Sequence, residues 1–159
     1  EAIQLHAESP EAYFMRGVVY SMRGDHDQAI NDFSEAIRFY PEEASYWSSR
    51  GFDKYNIGDF QGAVADCSEA IRLDPDPNSI RCGRSYNGRG LTYRQMGENH
   101  KALLDFTEAI SIQRSFPYFA NRASVYRKLG ELKKADADEV TYEVLQEIWY
   151  LENGIEKGE

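Results

Sequence analysis

Cysteine and histidine are the side chains that most often supply nucleophiles and metal ligands. The chain has Cys67 and Cys82, and its histidines are His6, His26 and His100. A zinc site needs such residues in closely spaced groups, and a thiol nucleophile needs a base beside it. Neither arrangement occurs in the sequence, and two cysteines are too few for a disulfide framework. We therefore expect no catalytic residue, no metal and no cofactor, with Cys67 in the core, Cys82 as an exposed thiol and the histidines on the surface.

Arginine and aspartate form a second charged set, in which each arginine precedes its aspartate by the same interval along the chain. The pairs are Arg16 with Asp32, Arg50 with Asp66, Arg89 with Asp105, and Arg122 with Asp138. A guanidinium group and a carboxylate can form two parallel hydrogen bonds. We predict partly buried ion pairs that fix the register of paired helices, which is a structural role and not a catalytic one.

The segments that must position these pairs recur along the chain at a regular interval. Gly17 is followed by Gly51, and Gly24 is followed at the same interval by Gly58. A third unit is displaced further because segment 76–83 carries an insertion, and a weaker fourth unit follows at nearly the original interval. A fixed period of this size, about 34 residues, indicates a stack of helical repeats.

Small and aromatic residues keep the same order in each unit. The third unit contains Tyr86, Gly90, Tyr93, Gly97, Ala102, Phe106 and Ala109, and Pro41 ends the first unit. This order resembles the tetratricopeptide repeat, whose signature runs aromatic, Gly, Tyr, Gly, Ala, aromatic, Ala, Pro. The resemblance covers nearly the whole chain. It implies an all-α, right-handed superhelical solenoid of antiparallel helix pairs, and a non-catalytic module for protein–protein interaction.

The unit boundaries follow from this register. We predict repeats at 10–43, 44–82 with an inserted loop at 76–83, 83–115, and 116–151 with an extended C-terminal capping helix. Residues 1–9 are expected to be the second helix of an incomplete preceding repeat, so that the chain is a piece of a longer array, and 152–159 a polar tail. First helices are expected near 10–23, 44–57, 83–96 and 117–129, and second helices near 26–39, 60–72, 99–112 and 132–150. A glycine ends each first helix because it tolerates the left-handed backbone conformation.

The resemblance implies that the first helices line a concave groove that holds a peptide or a helix of a partner protein. Carried over unit by unit, the groove residues are Phe14, Val18, Met22, Phe52, Tyr55, Asn56, Arg84, Asn87, Leu91, Arg94, Asn121, Arg127 and Lys128. The set is apolar at its N-terminal end and basic at its C-terminal end. It favours a ligand with apolar or aromatic anchors followed by acidic residues or a terminal carboxylate. The alternative is that the basic residues are ordinary solvated side chains.

One subfamily of these repeats clamps the terminal carboxylate of heat-shock chaperones with lysine, asparagine and arginine side chains. The corresponding places here hold Phe14, Val18, Ser49, Arg84 and Gly88. The departure from that pattern disfavours a chaperone co-factor.

The charge balance disfavours nucleic acid as a partner, so we expect none. The chain has 18 basic and 27 acidic residues, a net charge of −9, which opposes attraction to a phosphate backbone. No run of apolar residues is long enough to cross a bilayer, so we expect a soluble protein without a membrane span.

The C-terminal segment offers a further surface, because Leu145, Trp149 and Tyr150 are more apolar than a plain cap requires. They are expected either to fold back on the fourth unit or to dock on a partner or a second copy of the chain. The alternatives to a peptide-binding module are therefore a self-assembling scaffold, and a recruiting or autoinhibitory domain of a larger enzyme.

Overall fold

The computed structural model describes residues 9–74 and 76–155. Within these ranges the chain forms α-helices and no β-strand. The helices are α1 (Pro10–Arg23), α2 (His26–Phe39), α3 (Ala44–Asn56), α4 (Phe60–Leu73), α5 (Ile80–Gln95), α6 (Asn99–Ile112), α7 (Phe116–Lys128) and α8 (Leu132–Glu152). The helix expected within residues 1–9 falls almost entirely outside the described residues.

Each helix packs against the helices before and after it in the chain, and the first helices of successive units also touch one another. The units are thus the pairs α1 with α2, α3 with α4, α5 with α6, and α7 with α8. This arrangement confirms the prediction of an all-α solenoid of helix pairs. Such a stack buries the apolar face of each unit against its neighbours.

Tight turns join the two helices of each unit at the predicted glycines. Gly24, Gly58, Gly97 and Gly130 have φ between 76° and 83°, in the left-handed region. A side chain at these positions would strain the backbone. The sharp reversal of the chain therefore depends on glycine.

Close helix contact within a unit depends on a second set of glycines. A Cβ atom added to Gly17 would lie 2.7 Å from the ring of Phe33, and one added to Gly90 would lie 2.8 Å from the ring of Phe106. The phenylalanine ring of the second helix thus occupies the space above the glycine of the first helix. In the second unit the corresponding contact is 3.1 Å, from a Cβ atom added to Gly51 to the sulfur of Cys67.

The connection between the second and third units is shorter than the sequence predicted. Helix α5 begins at Ile80, because the hydroxyl of Ser79 accepts a hydrogen bond from the Cys82 amide at 3.0 Å and caps the helix. The end of the predicted loop 76–83 is therefore helical. The prediction of an exposed Cys82 thiol is wrong, because the residue is 1% exposed, and burial raises the pKa of its thiol.

The four predicted arginine–aspartate pairs are present. In each unit the arginine of the first helix donates through Nε and Nη2 to both carboxylate oxygens of its aspartate, at 2.7–2.8 Å. Removal of either partner would leave the charge of the other unpaired in a partly buried site.

Three of these arginines also reach the preceding unit, which the sequence analysis did not predict. The Nη1 atoms donate to hydroxyl groups, from Arg50 to Ser34 at 3.0 Å, from Arg89 to Ser68 at 2.9 Å, and from Arg122 to Thr107 at 3.1 Å. Each hydroxyl residue stands two positions after the aspartate of its own unit. One guanidinium group therefore links three helices across a unit boundary.

A histidine also joins the first two units. The Nδ1 atom of His26 lies 2.5 Å from Oδ1 of Asp53, whose side chain is fully buried. The expectation of a surface histidine is therefore only partly correct for His26, whose side chain is 26% exposed but bonded to a buried carboxylate. It is correct for His100, which is exposed, whereas His6 is outside the described residues.

Replacement of Arg89 by alanine should destabilise the protein strongly. The Asp105 side chain is 6% exposed and would lose both of its charged hydrogen bonds, which costs about 3 kcal/mol for a buried carboxylate. Urea denaturation followed by circular dichroism measures the loss.

The matched control is Arg38→Ala, because Arg38 is 63% exposed and pairs only on the surface with Glu35. It should cost under about 1 kcal/mol. Equal stability of the Arg89→Ala variant and the wild type would contradict this account of the ion pairs.

Candidate partner-binding groove

An open cavity of about 460 Å³ lies between the first helices of the first three units, with Phe33 and Cys67 of the second helices also in its wall. This volume is within the usual range for ligand sites in proteins. The predicted groove residues that line it are Val18, Met22, Phe52, Tyr55, Arg84, Asn87 and Leu91. Helices α1, α3 and α5 therefore bring the N-terminal half of the predicted groove together.

Large apolar side chains stand open to solvent at this cavity. Met22 is 83% exposed and Phe52 is 58% exposed, and both line its wall. Arg84 supplies a positive charge at the same site. Grouped apolar side chains that remain exposed are typical of a surface that binds another molecule.

The buried part of the cavity wall contains, besides the ring of Phe33, small residues that were not predicted to belong to a site. They include Gly51, Cys67, Ser85 and Gly88. The available signal was the cysteine at position 67, where the first and third units carry phenylalanine. Burial raises the pKa of the Cys67 thiol to about 12, so the sulfur is protonated at neutral pH and is not an activated nucleophile.

Polar side chains connect the three C-terminal first helices. The amide of Asn121 donates to Asn87 at 2.9 Å, and the guanidinium group of Arg94 donates to Ser124 at 2.9 Å. Gln95 donates to the hydroxyl of Tyr55 at 3.1 Å. This hydrogen-bonded row adjoins the apolar cavity along the same set of helices.

Six predicted groove residues do not line the cavity, namely Phe14, Asn56, Arg94, Asn121, Arg127 and Lys128. Phe14 packs instead against Tyr46, with ring centroids 4.9 Å apart, and belongs to the core between the first two units. Asn56 donates to the carbonyl oxygen of Phe52 at 3.0 Å, and Lys128 is exposed at the end of α7.

Arg127 is held by carboxylates of its own unit, which argues against its predicted role as a groove cation. Its Nε atom donates to Glu139 at 2.5 Å and its Nη2 atom to Asp136 at 3.1 Å. The bond with Glu139 raises the pKa of Arg127 and lowers that of Glu139. The charge of Arg127 is thus compensated within the fourth unit.

The apolar residues of α8 fall on two faces. Trp149 packs against Phe116 at a centroid distance of 6.1 Å and against Tyr150 at 5.5 Å, and Leu145 is half-buried. A different face carries Val140, Val144, Ile148 and Leu151, which are between 44% and 77% exposed, whereas Trp149 is itself 42% exposed. The predicted docking residues thus lie mainly beside the open stripe and not on it.

Two further site types are absent from the residues that the structure describes. No helix there is long and apolar enough to cross a membrane. Within the same residues, no group of three or more histidine, cysteine, aspartate or glutamate side chains could hold a metal ion.

Sequence comparison with family models matched two segments of the chain. Residues 10–43 match one tetratricopeptide repeat model and residues 83–116 match another. A search of curated proteins gave no match.

Solved structures of similar fold come from several proteins. A crystal structure of MamA aligns with a TM-score of 0.81 at 20% identity, over 92% of this chain and 83% of that one. The Arabidopsis OM64 TPR domain gives 0.69 at 20% identity, over 74% and 94%. The first TPR of Spaghetti (RPAP3), bound to the HSP90 peptide SRMEEVD, gives 0.71 at 17% identity, over 78% and 95%. At these identities the likeness establishes the fold alone.

Proposed function

This chain is a tetratricopeptide repeat protein, and from that premise we propose that it is a non-catalytic interaction module that binds an extended segment of a partner protein in its groove. The observation that carries the proposal is the open cavity between α1, α3 and α5, where the exposed side chains of Met22 and Phe52 adjoin Arg84. The similar Spaghetti domain, which was solved with a bound peptide, is a precedent for such use of the fold.

The charges of the groove favour an acidic segment. Arg94 donates to the neutral side chains of Ser124 and Asn121, and neither Arg94 nor Arg84 has a carboxylate partner within the described residues. The chain as a whole carries a net charge of −9, so these uncompensated cations stand against an acidic background. Complementary charge of this kind guides a ligand to its site and fixes its direction.

The polar row gives the groove a means to hold a peptide backbone. Asn87 accepts through Oδ1 from Asn121, so that its own NH2 group is held at the cavity wall as a donor. A peptide in the groove would place apolar side chains toward α1 and α3 and acidic side chains toward Arg84 and Arg94. This order agrees with the polarity predicted from the sequence.

A peptide-array screen with the purified chain tests the proposal. Binding peptides should be enriched in acidic residues that follow an apolar or aromatic residue. For a selected peptide, Arg94→Glu and Phe52→Ala should each raise the Kd by about tenfold, which corresponds to about 1.4 kcal/mol. Fluorescence anisotropy measures these constants.

Variants outside the groove are the controls. Arg38→Glu makes the same charge reversal on α2, and Leu104→Ala truncates an apolar side chain on α6 that is 69% exposed. Neither should change the Kd. Binders without acidic enrichment, or equal losses in control and groove variants, would contradict the proposal.

A second candidate function is self-association through α8. The exposed residues Val140, Val144, Ile148 and Leu151 follow the spacing of one helix face. In an antiparallel pair centred on Val144, Ile148 of one copy meets Val140 of the other. The pairing therefore places apolar surface against apolar surface along the whole stripe.

Sedimentation velocity over a range of concentrations tests self-association. The wild type should show a dimer that the Val144→Glu variant lacks, because the substitution puts a charge at the centre of the contact. Leu104→Glu is the control, since it adds the same charge to an exposed apolar position elsewhere. A Kd of about 0.1 mM corresponds to a weak interface. A wild type that remains monomeric at about this concentration would exclude this candidate.

A further inference from the structure

An aromatic cluster at one unit boundary is replaced by small residues at the next. Between the first and second units, the ring of Phe14 lies 5.6 Å from that of Phe33 and 4.9 Å from that of Tyr46. In the register of the repeat, the same three places between the second and third units hold Ser48, Cys67 and Ser85. The boundary between the third and fourth units keeps two of the aromatic residues, Phe106 and Tyr118, and both are buried.

The cavity lies where these aromatic rings are missing. Ser48, Cys67 and Ser85 all line it, and Cys67 and Ser85 are each 4% exposed. Gly88 removes a further side chain from the same wall: a Cβ atom at this position would stand 3.5 Å from the sulfur of Cys67. The repeat framework therefore encloses a space whose counterpart at the first boundary is filled by aromatic rings.

The hydroxyl groups that line this space already donate hydrogen bonds within the protein. Ser48 donates to the carbonyl oxygen of Ser45, and Ser85 donates to that of Arg81, each at 3.1 Å. Both bonds are made within the serine's own helix. The remaining wall includes Val18, Phe52 and Leu91. An apolar group can thus enter without leaving these donors unpaired.

We propose that this cavity is the anchor site for one aromatic side chain of the partner segment, a specificity that rests on the groove function proposed above. The aromatic ring of the ligand would take the position that the chain's own rings fill at the neighbouring boundary. An inserted ring buries a large apolar area and favours tilted contacts with other rings, such as that of Phe52. Arg84 at the cavity directs an acidic residue to the position beside the anchor.

The variant Cys67→Phe tests the proposal, because it restores the residue found at this position in the first and third units. Gly51 opposite residue 67 matches Gly17 and Gly90, which face phenylalanine. The ring is therefore expected to fit and to fill the cavity. Circular dichroism should show unchanged helicity, and the melting temperature should not fall. Cys67→Ala is the matched control, since it keeps the cavity open.

Toluene, p-cresol and indole are suitable probes, because they correspond to the side chains of phenylalanine, tyrosine and tryptophan. In ¹⁵N–¹H spectra of the full chain, they should cause saturable shifts at the amides of Gly51, Ser85 and Gly88. The shifts should persist in Cys67→Ala and disappear in Cys67→Phe. Absence of shifts in the wild type, or equal shifts in Cys67→Phe, would overturn the proposal.

Peptides from the array screen separate this proposal from the groove function. Replacement of the aromatic residue by alanine should weaken binding at least tenfold in the wild type and should cause no further loss in Cys67→Phe. Peptides that bind the wild type and Cys67→Phe equally would overturn the anchor site and leave the groove function intact. Probes that saturate the cavity while no peptide binds would instead contradict the groove function and support the aromatic preference of the cavity.

Discussion

The structure depends on a guanidinium group that bonds in two directions. In the second, third and fourth units, the arginine of the first helix satisfies both oxygens of a largely buried aspartate in its own unit and reaches a hydroxyl group in the unit before it. Because the guanidinium group is planar and its donors are fixed, both bonds form only at one relative position of the three helices. The ion pair thus sets the register within a unit, and the hydroxyl bond sets the position of the next unit. Val140 stands at the corresponding hydroxyl position of the fourth unit.

A framework that is fixed in this way can tolerate the loss of packing elsewhere. At the boundary between the second and third units, serine and cysteine replace an aromatic cluster, yet Arg89 still bonds to both Asp105 and Ser68 there. Loss of aromatic contacts alone would be expected to let the helices collapse or shift. The arginine contacts hold the helices apart at the repeat distance, so that the missing volume remains as a cavity. In this account the structural bonds and the proposed binding site are two results of the same repeat.

The sequence predicted the features that repeat and missed those that depend on contact between units. The turn glycines, the arginine–aspartate pairs and the helix pairs follow a fixed spacing, so one chain was sufficient to find them. The start of α5 was missed because it depends on the cap formed by Ser79 and not on the repeat period. The hydroxyl partners of the arginines were missed because serine and threonine occur at many positions, and only the packing of adjacent units selects Ser34, Ser68 and Thr107.

The same distinction between repeated and unrepeated features applies to the candidate site. Alignment of units placed Val18, Phe52 and Leu91 correctly at one cavity, because they share a face of successive first helices. The alignment could not show that Arg127 is paired with Glu139, because the spacing of these two residues is not repeated in the other units. Cys67 was visible as a departure from phenylalanine, but its meaning required the residues that face it across the unit boundary.

The most direct test of the central claim is a double-mutant cycle between Ser68 and Arg89, with the variants Ser68→Ala and Arg89→Lys and their combination. Urea denaturation gives the free energy of unfolding of all four proteins. If the guanidinium group bonds across the unit boundary, the two substitutions should be coupled by about 1 kcal/mol, because each removes the same hydrogen bond to a charged donor. Additive effects, within about 0.3 kcal/mol, would show that the bond contributes nothing to the joining of units and would contradict the account.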